Sequence, residues 1–452
     1  MKTLLNVLTG IFLSLLIFTT PVQAERSISP AYKIFNESQN AIVTVINGRG
    51  HGSGFLISKE GVILTNHHVV YPNIDAKVIV RINDENYIAQ LVGSNSKLDI
   101  AALKVPPSVV SSIKPLVLFN PENQADLASR GEEVIALGSP VDWKTLEKTL
   151  TRGIISNQNE FMLFHDAAIN GGNSGGPLLN FEGKVIGINT IGISDRGQSI
   201  AGSVKASKID DFYKSISRSL TNIKTDLIKL PAYPLERLPI EAISKQNPSY
   251  FQIGSSLILK KRTVNFDKFI VTLTTPVDAY KEFLFTESLL LKQQQTRYEK
   301  AGKSIDTNEL FRTDKNKVYD NSYRKYVSIS INPKQVLTAG AKVNVALSAL
   351  SGVPAVLNFQ FEGDFKNFSL VDASGSSQCK PYIFGRNDQT VANTLMIDRS
   401  YFGYFEYPFD CFEGKNEVYL LLEDDQGNLE KHALNIKILD GIKEEISFLN
   451  NY

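Results

Sequence analysis

From Ala41 onward the chain is cut into short β-rich runs separated by turn residues, and the runs fall into two successive sets of six. The first set is AIVTVI, GSGFLIS, GVILTN, KVIVRI, NYIAQLVG and IAALKV. It ends near Val105. The second is EEVIALG, LEKTLTRGIIS, MLFHDAA, GPLLN, KVIGINTI and SIAGSVKA. Runs rich in β-branched and aromatic residues and bounded by Gly, Pro, Asn and Asp read as strands. So many strands with so little helix must dispose of their edges, and closing each set on itself does so. The expectation is two six-stranded antiparallel β-barrels side by side, joined by the less regular PPSVVSSIKPLVLFNPENQADLASRG.

Three further segments flank this pair. The leader MKTLLNVLTGIFLSLLIFTTPVQA has one Lys, an apolar stretch and small residues at Val22 and Ala24, which reads as a signal peptide (1–24) cleaved after Ala24. After the second set, SKIDDFYKSISRSL places Ile209, Phe212, Ile216 and Leu220 on one helical face, most simply a helix docking on the second barrel. The two-barrel unit with its terminal helix is thus 25–222. Prolines at 231, 234, 239 and 248 mark a linker over 223–248.

Residues 249–452 read as a further β-rich region, an antiparallel sandwich with a helical insertion. LILKKRTVNFDKFIVTLT looks like a strand pair, and Thr275-Pro276 opens a helix to about Ala301. YVSISI, KVNVALSAL, VLNFQFEG, YFGYFEY, EVYLLLE and ALNIKI then look like strands.

Lys2 is the only charged residue of the leader, so the formal net charge of +1 falls to zero once it is removed. Charge therefore gives no argument for nucleic acid or an anionic membrane as partner, and nothing after residue 24 looks transmembrane. The only two cysteines, Cys379 and Cys411, read as one disulfide in an exported chain. The loop they close has no strand pattern in its middle. No His/Cys cluster has metal-ligand spacing, and no cofactor is implied.

The stretch INGGNSGGPLLN, residues 169–180, packs four glycines around Ser174. Glycine clusters mark places where backbone must come close to something, and amides facing a reacting carbonyl are one such use. A serine nucleophile needs a base and a group that orients the base. His67 and His68 stand at the end of the strand reading in GVILTNHHVV, and Asp99 is a lone acid before a buried-looking strand in SKLDIAALKV.

In this order GSGFLIS, GVILTNHHVV, LDIAALKV, VIALGSP, TRGIIS, DAAINGGNSGGPLLN and KVIGINT resemble the protease domain of HtrA (Deg) serine proteases, of chymotrypsin fold. The likeness covers roughly 41–206. It implies His68 as general base, His67 filling a variable place, with Asp99 as orienting carboxylate and Ser174 as nucleophile. The amides of Gly172 and Ser174 would form the oxyanion hole, with Asn173 between them shaping the turn. Where that family usually has Pro this chain has Gly171, which implies a hole that substrate or another domain orders.

The floor of the primary pocket falls at Ala168 with Ile169 beside it, which favours an aliphatic residue before the scissile bond. Asp166 is expected to pair with a backbone amide or a basic neighbour. His51, His165 and His432 are expected away from substrate, and Asp142 and Trp143 on the surface. No Gly-Leu-Gly-like carboxylate loop of a PDZ domain follows residue 222, and Tyr32 and Phe35 in Glu25 to Asn40 do not establish a trimer. The expected function is a periplasmic or extracellular serine endopeptidase acting on proteins or peptides, without stable membrane insertion. The competing class is a catalytically idle or zymogen-like scaffold that binds proteins through its C-terminal region.

Overall fold

A computed structural model describes residues 29–48, 50–71, 77–119, 129–139, 148–195, 198–234, 262–280, 324–351, 357–392 and 397–451, together with 238, 282, 296, 297 and 300. The leader, Asp142, Trp143 and most of the helix expected after Thr275-Pro276 lie outside the described residues.

After helix α1 (Pro30–Ser38), the first six strands are β1 (Ile42–Asn47), β2 (Gly50–Leu56), β3 (Val62–Thr65), β4 (Lys77–Ile82), β5 (Glu85–Asn95) and β6 (Ile100–Lys104). They close in the order β1-β2-β3-β6-β5-β4. Two single-turn helices, α2 (His67–Val70) and α3 (Pro107–Val110), punctuate this half. The second set is β7 (Glu133–Gly138), β8 (Thr149–Gln158), β9 (Met162–His165), β10 (Pro177–Asn180), β11 (Val185–Asp195) and β12 (Gln198–Lys205). It closes as β10-β11-β12-β9-β8-β7. The chain is mainly β, and both barrels have the expected strand number and closure. Alternate strand residues fill each interior, among them Val45, Phe55 and Leu64 in the first and Val134, Ile155 and Leu163 in the second.

Helix α4 (Ala206–Asn222) buries Ile209, Phe212, Ile216 and Leu220, the face its spacing predicts. It does not sit on the second barrel alone. It packs on β5 and β6 as well as on β11 and β12, and the Lys104 ammonium donates to the carbonyl of Leu220 at the helix C-terminus. The segment read as linker also returns to the first barrel: Ile88 donates to the Ile228 carbonyl and Leu230 to that of Asn86.

In the C-terminal half, β13 (Arg262–Asn265), β14 (Phe269–Thr274), β15 (Tyr326–Pro333), β20 (Ile397–Pro408) and β19 (Ile383–Ala392) form one antiparallel sheet in that order. A second sheet runs β18 (Phe365–Val371), β21 (Tyr419–Asp424) and β22 (Leu429–Ala433), and β16 (Gln335–Leu337) pairs with β17 (Phe359–Phe361). Leu273, Ile329 and Phe405 of the larger sheet share one core with Leu370, Leu420 and Leu422 of the smaller. Residues 276–280 are helical as expected, with the Thr275 hydroxyl accepting the Asp278 amide and Asp278 Oδ2 accepting the Thr275 amide.

Three sequence expectations are corrected here. KVNVALSAL is not a strand but lies in helix α5 (Ala339–Ser351). Its alternation loses to alanine-rich composition and to the cap at Thr338, whose hydroxyl accepts the Ala341 amide. ALNIKI is split. β22 ends at Ala433, and Asn435 caps helix α6 (Ile436–Leu449), whose Leu439, Ile442, Ile446 and Leu449 are buried at helical spacing. The interval between Cys379 and Cys411 is no patternless loop either, because it holds the β19–β20 ribbon. β19 packs Ile383 and Gly385 on the first barrel, and the residues that follow them are polar. Cys379 and Cys411 stand with Cα atoms 5.9 Å apart, within disulfide reach.

Ile46 and Ile79 alternate with inward-facing neighbours and so point out of the first barrel. There they meet Leu230, Tyr233, Ile383 and Tyr404 in a single apolar cluster. The C-terminal half is thus packed on the first barrel, and all six residues of β1 are buried.

Candidate active site

β3 ends at Thr65, and buried Asn66 turns the chain into α2, which lifts His68 to the surface. Across the same barrel, Asp99 precedes β6 with a positive φ of 54°, in the left-handed region that Asp tolerates better than most residues. Asn66 holds that turn by donating its side-chain amide to the Asp99 carbonyl at 2.7 Å. Asp99 Oδ2 lies 2.8 Å from His68 Nδ1, and Oδ1 accepts the His68 backbone amide at 3.0 Å. The Thr190 hydroxyl also donates to Oδ2. Burial raises the Asp99 pKa, but hydrogen bonds from the His68 ring, the Thr190 hydroxyl and the His68 amide outweigh it, leaving the carboxyl below its ordinary range. An ionised Asp99 on Nδ1 selects the tautomer that leaves Nε2 as a base.

Ser174 comes from the second barrel, in the loop before β10. The turn Asn170–Asn173 closes through the Asn173 amide to the Asn170 carbonyl at 3.0 Å, with φ of 93° at Gly172. That sign at the third residue makes it a type II turn, open essentially to glycine or asparagine. The first barrel grips this turn: Ser53 N donates to the Ser174 carbonyl at 2.7 Å and the Ser53 hydroxyl to the Gly172 carbonyl at 2.6 Å. The same hydroxyl accepts the Ser139 amide at 2.7 Å, so one buried side chain ties β2 to both flanks of the second barrel. Among the described residues the amides of Gly172 and Ser174 have no acceptor, the state that donors awaiting an oxyanion require. Buried Asn173 packs within the turn and its carbonyl accepts the Gly176 amide.

Ser174 and His68 border one cleft of about 260 Å³ with Asn47, Gly50, His51, Val69, Tyr71 and Gly172. The structure brings them together without closing their hydrogen bond, since the Ser174 hydroxyl is directed at the Thr190 carbonyl, 3.5 Å away. Catalytic hydrogen bonds are often loose before substrate binds. Ala168 is exposed and Ile169 half-buried against the second barrel's core, neither lines this cleft, and the Ala168 carbonyl accepts the Thr151 hydroxyl. Asp166 accepts the Ile154 amide at 2.6 Å, the pairing expected of it.

The remaining histidines divide. His67 tilts against Tyr71, with ring centroids 5.5 Å apart. His51 lines the cleft, closer to the chemistry than its sequence context suggests. His165 is fully buried on Ser203, which in turn donates to Asn189, and burial pushes its pKa down to about 4. His432 pairs with Glu430 far from this cleft. Thr190 and Ser53 are the site residues that sequence reading missed. Their hydroxyls become informative only once strands distant in sequence are adjacent. Among the described residues no group of three His, Cys, Asp or Glu could hold a metal ion.

Two closed barrels with His, Asp and Ser meeting at their seam define a trypsin-like serine protease fold and site. Residues 52–188 match the trypsin-like peptidase domain family. A probable periplasmic serine endoprotease, DegP-like, of Rickettsia prowazekii is 39% identical over 160 residues, which are 33% of this chain and 29% of that protein. The serine endoprotease of Yersinia pestis is 31% identical over 42% of this chain and 68% of its own, with a TM-score of 0.37. The HtrA-type protease AlgW, solved with a tripeptide, is 30% identical over 42% of this chain and 64% of its own, with a TM-score of 0.36. The two-barrel portion is an HtrA-like trypsin-like serine protease domain. The chain spans under a third of the length of the DegP-like relative.

Proposed function

We propose that this chain is an exported serine endopeptidase that hydrolyses peptide bonds of protein or peptide substrates, with Ser174 as nucleophile, His68 as general base and Asp99 as its orienting carboxylate. The observation that carries this reading is the 2.8 Å contact of Asp99 with His68 Nδ1 in a cleft that Ser174 shares. Ser174 Oγ gives its proton to His68 Nε2 and bonds to the carbonyl carbon, while the amides of Gly172 and Ser174 hold the developing oxyanion. His68 then passes the proton to the leaving nitrogen as the carbon–nitrogen bond breaks. Water repeats the sequence on the acyl-enzyme and frees Ser174. Ala168 and Ile169 make an uncharged primary pocket that favours Val, Ala or Ile before the cut.

The sequence of the leader and relatives named periplasmic support export, and among the described residues no helix is long and apolar enough to cross a membrane. The division into 25–222 and 249–452 and a Cys379–Cys411 disulfide belong to the same reading.

The test is fluorophosphonate labelling of the mature protein, with cleavage sites in an unstructured polypeptide mapped by mass spectrometry. Labelling lost in Ser174→Ala and His68→Ala, with cuts after aliphatic residues, is the expected result. Cuts after Lys, Arg or Glu overturn only the pocket. No labelling and no cleavage favour the idle binding scaffold.

A further inference from the structure

Because His68 returns its proton to the leaving nitrogen, the chain that follows the scissile bond must lie on the His68 side of Ser174. That side is the first barrel's. The cleft there is walled by the β1–β2 hairpin, through Asn47, Gly50 and His51, and by Tyr71 just after α2. Two parts of this wall, Asn47 and Tyr71, are tied to the C-terminal half. Gly48 N donates to the Phe384 carbonyl at 3.1 Å, and Arg386 N donates to Asn47 Oδ1 at 3.3 Å. Asn47 in turn gives its side-chain amide to the Tyr71 carbonyl at 3.2 Å. The backbones of Gly48 and Gly385 touch so closely that a Cβ on Gly385 would fall 1.7 Å from Gly48 N. Farther along the ribbon, burial and the neighbouring Tyr71 phenol push the Tyr401 pKa up to about 12, and the Arg386 guanidinium lies over the Tyr401 ring, 5.7 Å from its centroid.

We propose that the β19–β20 ribbon makes the C-terminal half part of the substrate site, holding Tyr71 and Asn47 as the wall of a subsite for an aromatic residue immediately after the scissile bond. This rests on the serine-protease reading above. Tyr71 is 40% exposed and lines the cleft, His51 adds a second ring, and among the described residues no carboxylate, Lys or Arg lines it. Gly385 and Tyr401 are positioning residues, acting through Asn47 and Tyr71.

The experiment compares two peptides of equal length that differ only in the residue immediately after the cut, Phe in one and Gly in the other. Their ratio of kcat/KM, Phe over Gly, is read in wild type, Tyr401→Phe and Gly385→Ala. Losing one polar contact between two phenols corresponds to at most about a 3- to 10-fold change, so Tyr401→Phe is expected to lower the ratio within that range, chiefly through KM. Gly385→Ala, which drives β19 off β1, is expected to lower it at least as much. A ratio unmoved in both variants, or a fall shared equally by both substrates, overturns the proposal. So does a wild type that cuts before Gly as well as before Phe. Fluorophosphonate labelling of wild type is read first: its failure removes the serine-protease reading and this subsite with it, whereas labelling with an unmoved ratio removes the subsite alone.

Discussion

Replacing Ser53 by Ala tests whether the first barrel holds the nucleophile turn of the second. The Ser53 side chain is fully buried, donates to the Gly172 carbonyl at 2.6 Å and accepts the Ser139 amide at 2.7 Å. Ser53→Ala leaves both groups without that partner. A buried polar group so orphaned costs about 1–3 kcal/mol, so the pair should cost about 2–4 kcal/mol after partial relaxation. The larger effect is expected on chemistry. With its carbonyl released, Gly172 is free to leave the positive φ of 93° that defines the type II turn, and the Gly171–Gly172 peptide can flip. Such a flip turns the Gly172 amide away from the oxyanion. Loss of one such donor slows reaction by about 10²- to 10³-fold, which is the ceiling for this variant, and a drop of at least about tenfold in the fluorophosphonate labelling rate is expected. Urea unfolding followed alongside labelling separates the two effects. A lowered urea midpoint with labelling at the wild-type rate would refute the reasoning, since Ser53 would then be a core residue and nothing more.

His165 predicts an acid limb to stability. Its folded pKa of about 4 lies below the ordinary 6.5, so between those values the unfolded chain binds the proton and the folded chain does not. That contribution to stability is present above pH 6.5 and lost as pH falls towards 4, by about 3 kcal/mol in all, and His165→Gln should flatten this part of the urea-midpoint profile. Alkylation of denatured, unreduced protein should find no free thiol at Cys379 or Cys411. Reduction should then destabilise the C-terminal half by about 3–4 kcal/mol, while two free thiols per molecule would exclude the bridge. A fragment of residues 25–234 should melt above one of 25–222, because only the longer form keeps the backbone bonds of 228–230 to β5 and the burial of Leu230; equal melting temperatures would show that this return segment adds nothing.

Much of the fold and of the candidate site was legible before any coordinates. Strand existence in both barrels follows from runs whose β-branched residues and turn punctuation are local properties, and local signals survive in sequence. His68, Asp99 and Ser174 were singled out through the resemblance to a family whose ordered motifs place them at strand ends and on a glycine turn, and the structure brings His68 and Asp99 into contact beside the cleft that Ser174 shares. Where local signals compete, the reading failed. KVNVALSAL alternates like a strand yet carries the alanines and the Thr338 cap that make α5, and the boundary within ALNIKI turns on the cap at Asn435. β19 could not be read because Ile383 and Gly385 pack on the first barrel, a partner far away in sequence, and the residues that follow them are polar.

Everything that joins distant segments belonged to the tertiary structure alone. Thr190 on Asp99, Ser53 beneath Gly172, α4 across both barrels and Gly385 against Gly48 are contacts between residues far apart along the chain. No single position announces its partner, because a serine or glycine that makes such a contact is chemically identical to one that does not. The sequence by itself determined which chemistry the chain could carry and on which strand ends. Only packing decided that the turn bearing Ser174 is gripped by the opposite barrel, and that the wall beside His68 is held by the C-terminal half.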